Sequence, residues 1–313
     1  MRLIFMGTPA AAVPTLKRCL DDGHEIAAVW TQPDRPAGRG NKLTTPPVKE
    51  FALAHNLTIH QPAKIKTDEA RELFASHEAD AAVVVAYGRI LPSAFLRAPR
   101  RGCINVHFSL LPRYRGAAPV NWAIIEGQKE TGVSTMLMDE GLDTGSIFLQ
   151  TATPIGDTET APQLMDRLAL LGAGLLSETL TNFETIRPRQ QREAEATPAP
   201  MLRRETGRID WSSNAFEIER RVRGLQPWPG AYTEYARSRL IIWRAEALHA
   251  GDESSSGSSV EGEIVEAHAD HLIVACGHET ALRLVEVQPE GRKRMSVRDF
   301  LNGTRIRAGE RCG

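Results

Sequence analysis

Cysteine is scarce. Cys19, Cys103, Cys276 and Cys312 are the only four in 313 residues, and no two form a C-x-x-C pair. No histidine pattern accompanies them, so neither a metal site nor a disulfide framework is expected, and free thiols in a reducing compartment fit best. Long apolar runs are missing too. None approaches the roughly 20 residues that span a bilayer, and the opening run RLIFM is too short for the core of a signal peptide. A cytoplasmic protein without a membrane partner is the expectation. Excess charge of either sign is also lacking: 38 Lys and Arg against 39 Asp and Glu leave a net charge of -1. A nucleic acid would have to be met by local basic patches, not by a global field. Two chemical signatures are absent as well. Gly7-Thr8-Pro9 stands where a dinucleotide-binding fold would carry G-x-G-x-x-G, and Ser109 has no G-x-S-x-G context for a covalent mechanism.

Against those absences stands an ordinary globular composition, 42% hydrophobic and 25% charged, in a chain long enough for two domains. Strand-like runs at 2–6, 25–31, 57–61, 80–88 and 102–107 alternate with helical periodicity at 10–21, 48–56 and 67–77. DAAVVVAYG is apolar throughout, as a central parallel strand covered on both faces must be. AAPVNWAIIEG adds a helix, TGVSTMLMD and SIFLQTATPI two further strands, and residues 159–186 a closing helix. The alternation predicts an α/β unit over residues 1–184, with a doubly wound, mostly parallel, Rossmann-like sheet. Residues 31–47, rich in proline, glycine and charge, predict no regular structure. Residues 185–204 are polar and aperiodic and predict a surface linker. Beyond it, over 205–313, a helix at 214–224 and five short strands predict a C-terminal OB-like β-barrel, with GDESSSGSS (251–259) as a flexible loop.

The chemistry is concentrated in two stretches. In GCINVHFSLLPRYRGAAP (102–119), Asn105 and His107 interrupt an apolar strand two residues apart, so they leave one face near its carboxyl end. Ligands of open α/β sheets bind at such ends. DEGLDTG (139–145) follows another strand, and its Asp143 is expected at a neighbouring carboxyl end. An Asn, a His and an Asp brought together make an acid–base and oxyanion-stabilising set. The plainer alternatives are an Asn and His that cap backbone groups and acids that shape a glycine-rich turn. Arg35, Arg39 and Lys42 lie in a third stretch, QPDRPAGRGNK, which is long for a loop inside a compact unit. RRETGR (203–208), with Arg204, and GRKRMS (291–296), with Arg292, Lys293 and Arg294, add two basic clusters. Taken singly each is a solvated face; three on a near-neutral chain suggest a polyanionic partner reaching both domains.

INVHFSLLPRYRGAAP resembles the N-x-H-x-S-L-L-P-x-aromatic-x-G signature of folate-dependent formyltransferases, and DEGLDTG is similar to their second active-site motif. TQPDRPAGRGNKL, VVVAYGRILP, GRIDW, LQPWPGAYT and PEGRKRMS resemble the branch of that family acting on a charged initiator tRNA. The resemblance runs along the whole chain. It implies 10-formyltetrahydrofolate as formyl donor, without a metal, and the α-amino group of initiator methionyl-tRNA as acceptor. Asn105, His107 and Asp143 match the catalytic trio of that family. Ser109, Leu110, Leu111 and Pro112 match its folate-contacting turn, and Ala86, Tyr87, Gly88, Arg89, Ile90 and Leu91 its pterin-pocket strand end. Arg39 matches the arginine of the loop at the acceptor stem, with Arg35, Lys42, Arg204, Arg292, Lys293 and Arg294 as further candidate tRNA contacts. Ala10 and Ala11 depart from the acid and aromatic residue usual after the first turn, and Met201 and Arg204 stand where lysines are common. One chain holds every part, so a monomer is expected.

Overall fold

The alternation of periods becomes alternation of elements. A computed structural model describes residues 1–37, 42–249 and 260–313. In chain order the first elements are β1 (Arg2–Gly7), α1 (Val13–Asp21), β2 (Glu25–Trp30), β3 (Arg35–Ala37), β4 (Lys42–Thr44), α2 (Pro47–Ala54), β5 (Ile59–His60), α3 (Asp68–Ala75) and β6 (Ala81–Val85). Then follow α4 (Ser93–Arg97), β7 (Cys103–His107), β8 (Arg115–Gly116), α5 (Pro119–Ile125), β9 (Glu130–Leu137), β10 (Ile147–Pro154), α6 (Ala161–Thr181) and β11 (Pro198–Ala199). The last are α7 (Ala215–Gly224), β12 (Ala231–Tyr235), β13 (Ser238–Leu248), β14 (Ile264–His268), β15 (His271–Cys276), β16 (Thr280–Pro289), β17 (Met295–Ser296) and α8 (Val297–Gly303). Two compact units divide them: Met1–Pro119, Glu130–Pro154 and Met165–Pro200 form one, and Val120–Lys129, Ile155–Leu164 and Met201–Gly313 the other.

The first unit carries a seven-stranded sheet in the order β10-β9-β7-β6-β1-β2-β5. From β5 to β7 it is parallel. β9 pairs antiparallel with β7, and β10 antiparallel with β9. Period-two alternation sorts the two faces. Ile4, Met6, Val84 and Cys103 turn to a core shared with Phe74 of α3 and Phe95 of α4. Phe74 and Phe95 stack at 4.2 Å, with Trp30 edge-on to both. Asn105 and His107 follow Cys103 on that face. Val106 turns the other way, against α6 at Gly172.

Two regions read as irregular contain paired segments. Within 31–47, β3 and β4 pair antiparallel, Arg35 opposite Thr44 and Pro36 opposite Leu43. A two-stranded ribbon leaves an outer edge on each strand, where a proline without an N–H is tolerated. In the polar stretch after α6, Arg189 forms an antiparallel bridge with Ile147. Further on, β11 pairs in parallel with β8. That stretch is a strap bonded to the sheet unit along much of its length. GDESSSGSS lies outside the described residues.

Two half-buried imidazoles lie together by the edge strand of the sheet. His60 and His77 approach to 5.2 Å between ring centroids beside Trp30, and both Nε2 atoms are buried without a partner. Burial holds both below the ordinary imidazole value, and at His77 the neighbouring His60 and Arg2 add to it. A lowered folded-state value means that the unfolded chain takes up protons first. The stability these rings contribute is therefore whole above about pH 6.5 and is lost as pH falls below it. Tm is expected to drop between about pH 7.5 and 5.5, and to drop less in a His60→Phe, His77→Gln protein. An equal drop in both proteins contradicts the assignment.

The second unit has its own sheet, β12-β13-β16-β15-β14, all antiparallel, with β17 added to β16. Trp211 is buried against it, its indole N–H donating to Thr233 Oγ1 at 3.0 Å. Strand pairing among the described residues does not close this sheet into a barrel. The last residues span its two edges instead: Cys312 N–H donates to Gly262 O beside β14, and Gly313 N–H to Glu234 O of β12. All four cysteines are free and buried, and burial pushes each thiol up to about 12. Among the described residues no helix is long and apolar enough to cross a membrane.

Candidate active site

Asn105 and His107 are polar side chains in a strand buried from end to end, with only 8% and 6% of their surfaces exposed. His107 Nε2 lies 2.9 Å from Tyr114 O. A carbonyl only accepts, so Nε2 carries the hydrogen, and Nδ1 is left facing Asp143 Oδ2 at 3.7 Å. Asn105 Nδ2 lies 3.4 Å from Asp143 Oδ1. That leaves the second amide hydrogen of Asn105 uncommitted to Asp143. Gly116 N–H donates to Asp143 Oδ2 at 2.9 Å. The Asn, the His and the Asp expected from sequence thus meet around one carboxylate.

The route by which Asp143 arrives differs from expectation. β9 runs against β7, with His107 opposite Ser134 and Ile104 opposite Leu137. The end of β9 therefore lies at the amino end of β7, not at a neighbouring carboxyl end. Asp143 reaches His107 because the loop after β9 folds back along β7, with Asp143 itself left-handed at φ 54°. Gly145 makes the return possible: a Cβ there would sit 1.7 Å from Leu137 O. Asp139 is spent inside the loop, accepting from Gly141 N–H and Thr144 Oγ1.

The strap completes the enclosure. Gln191 Nε2 donates to Asp143 O at 2.7 Å and Gly145 O at 2.8 Å, while its Oε1 accepts from Arg115 Nε at 3.0 Å. Arg115 Nη1 also grips both oxygens of Glu193. Tyr114 N–H donates to Thr197 Oγ1 at 2.9 Å. Sequence reasoning passed over Gln191, because a polar residue in an aperiodic stretch carries no local signal of its partners.

The turn after β7 is largely occupied with itself. Ser109 is fully buried, donates to Arg113 O at 2.6 Å and accepts through its carbonyl from Ser134 Oγ. Leu111 is buried in a cluster with Met136 and Ile147, whereas Leu110 and Pro112 are half-buried. The turn after β6 divides more evenly. Tyr87 and Leu91 are buried in the core, and burial pushes the Tyr87 hydroxyl up. Ala86, at φ 45°, and Gly88 are exposed, and Ile90 is 74% exposed. Arg89 Nε donates to Gln32 Oε1 at 3.0 Å, and Gln32 Nε2 donates to Tyr87 O. Ser93 Oγ donates to Glu140 Oε1, joining this turn to the loop of Asp143, whose Leu142 is 62% exposed. A separate cavity of ≈ 440 Å³ lies at the amino end of β7, lined by Leu96, Arg101, Gly102, Leu137 and Met138 among others.

Of the basic candidates, Arg35 Nη2 lies 3.4 Å from Gln32 Oε1. Arg39 lies outside the described residues, as does the side chain of Lys42. Arg204 is exposed. Arg292, Lys293 and Arg294 are exposed on the second unit. Arg294 pairs with Glu286 and covers the Trp243 ring at 5.1 Å. Among the described residues no group of His, Cys, Asp and Glu is placed to hold a metal ion.

Asn105 and His107 thus leave an interior strand of an α/β sheet to meet Asp143, and the chain belongs to the formyl transferase family: that family matches residues 1–180, and its C-terminal domain matches residues 201–305. The methionyl-tRNA formyltransferase of Caldanaerobacter subterraneus subsp. tengcongensis is 48% identical over 99% of both chains. That of Solibacter usitatus is 48% identical over 100% of this chain and 99% of its own. Among solved structures, a sugar 3N-formyl transferase crystallised with dTDP and 5-N-formyl-THF superposes with a TM-score of 0.67 at 18% identity, covering 94% of this chain and 99% of its own. The methionyl-tRNA formyltransferase from Clostridium thermocellum gives 0.56 at 21% identity, over 79% and 93%. These two likenesses are of fold.

Proposed function

We propose that this protein transfers the formyl group of 10-formyltetrahydrofolate to the α-amino group of initiator methionyl-tRNA. The observation that carries this reading is the convergence of Asn105, His107 and Asp143, in a chain nearly half identical over its full length to methionyl-tRNA formyltransferases. The folate donor is assigned to the turn after β6, where Ala86, Gly88 and Ile90 are exposed and offer backbone and apolar surface suited to a flat heterocycle. The chain acts as a cytoplasmic monomer. Residues 1–184 carry the reacting groups, 185–204 strap that unit before leading into the second, and 205–313 carry tRNA contacts.

The acceptor amine must be neutral to attack. A free α-amine titrates near 7.7–8.0, and esterification of the neighbouring carboxyl lowers that further, so no strong base is required. As the nitrogen bonds to the formyl carbon, negative charge gathers on the formyl oxygen. The uncommitted hydrogen of Asn105 Nδ2 donates to that oxygen. His107 is held through Nε2 by Tyr114 O. Its Nδ1, beside Asp143, relays the proton that the amine loses. Asp143 beside it compensates the positive charge arriving on the ring, and the same proton returns to the departing folate nitrogen as the carbon–nitrogen bond breaks.

The deciding assay supplies 10-formyltetrahydrofolate with charged initiator tRNA, elongator methionyl-tRNA and small sugar amines. Formylation confined to the initiator tRNA supports the reading; faster formylation of a nucleotide-linked amino sugar overturns it. The basic face of the second unit makes a separate expectation. Arg292→Ala combined with Lys293→Ala should raise KM for tRNA about tenfold and flatten its salt dependence, since each lost phosphate contact removes about one released counterion. An unchanged KM and salt slope remove these residues from the tRNA interface.

A further inference from the structure

We propose that Gln191 is a positioning residue: it holds the backbone of Asp143 so that the carboxylate stays against His107 and Asn105. The proposal rests on the role of Asp143 given above. Asp143 is a non-glycine residue at φ 54°, a conformation that lasts only where its surroundings impose it. Its side chain is held by Gly116 N–H, yet nothing in its own loop holds its carbonyl. Gln191 does so from the strap, about forty-eight positions along the chain, and takes Gly145 O with its second amide hydrogen.

The orientation of this amide is determined by its neighbours. Two carbonyls need donors and the Arg115 guanidinium needs an acceptor, so the reversed amide would set oxygen against oxygen and N–H against N–H. Arg115 is itself only 11% exposed in its side chain and fastened by Glu193. It also immediately precedes Gly116, whose N–H binds the carboxylate. Gln191 therefore ties the two motifs together at the point where the backbone of one and the side chain of the other define the place of Asp143. The strap is part of the site, not a connection running past it.

The test uses Gln191→Met, which keeps length and removes all three hydrogen bonds, alone and combined with Asp143→Asn. With charged initiator tRNA and 10-formyltetrahydrofolate, Gln191→Met is expected to lower kcat about 10–100-fold, the scale of a misplacement near 1 Å, with KM for tRNA within about twofold. In the Asp143→Asn background the same change should cost nothing further, because the group it positions is already gone. Gln191→Glu, which turns a carboxylate oxygen toward the carbonyls, should be no better than Gln191→Met. A wild-type kcat in Gln191→Met, or an equal fold-loss in both backgrounds, overturns the positioning role. Near-normal kcat in Asp143→Asn instead overturns the reading of the site on which the proposal rests.

Discussion

His107→Gln should leave a folded protein whose kcat is reduced about 10²–10⁴-fold, the usual contribution of a positioned acid–base group. Glutamine is chosen because the ring has two tasks. Its Nε2–H donates to the Tyr114 carbonyl, and losing such a bond costs about 0.5–1.5 kcal/mol. The glutamine amide can keep that bond but cannot carry a proton between the two nitrogens. His107→Ala loses both tasks, so it should show the same kcat defect with a lower Tm. Measuring kcat and Tm for the pair separates chemistry from support. A His107→Gln protein with kcat within about threefold of wild type, well below the loss general acid–base removal brings, contradicts a proton-transfer role. KM for tRNA is expected to change little in either, since the ring is buried and offers almost no surface for a tRNA contact.

Gly116→Ala is expected to damage both fold and chemistry. Gly116 sits at φ 125°, a region L side chains rarely enter, and a Cβ there would lie 2.6 Å from Ala199 O. Backbone in such a region costs on the order of 1–3 kcal/mol, and the clash is with backbone of the paired strap, which cannot swing aside. Relief requires β8 and β11 to part. That movement withdraws the Gly116 N–H from Asp143 Oδ2. A drop in Tm of several degrees is expected, with kcat falling at least 10²-fold in the protein that remains folded, as for a misplacement of about 1 Å. Wild-type kcat together with wild-type Tm would show that this close approach is relaxed in solution.

Several features were legible in the chain because local periods report local environments. Ile104 and Val106 alternate with Asn105 and His107, and that alternation alone assigned the last two to one face. The uninterrupted AAVVV of β6 announced a strand covered on both sides. Other features were hidden because their causes lie elsewhere in the chain. Arg35–Ala37 forms a ribbon only through Lys42–Thr44, despite a proline that argues against a strand. The sheet of the second unit is spanned by residues 309–313, which have no strand period at all.

Direction is the sharpest example. Nothing in TGVSTMLM tells whether it runs with or against CINVH, since either pairing buries the same alternating side chains. The residue types for polar chemistry on a buried strand, and their shared face, were written in the sequence itself, because side-chain period depends only on the backbone of one strand. Which way β9 runs, how the loop of Asp143 turns back, and that Gln191 holds it there were decided only in the tertiary structure. Those outcomes depend on hydrogen bonds between segments far apart in sequence, and no local pattern encodes such partners.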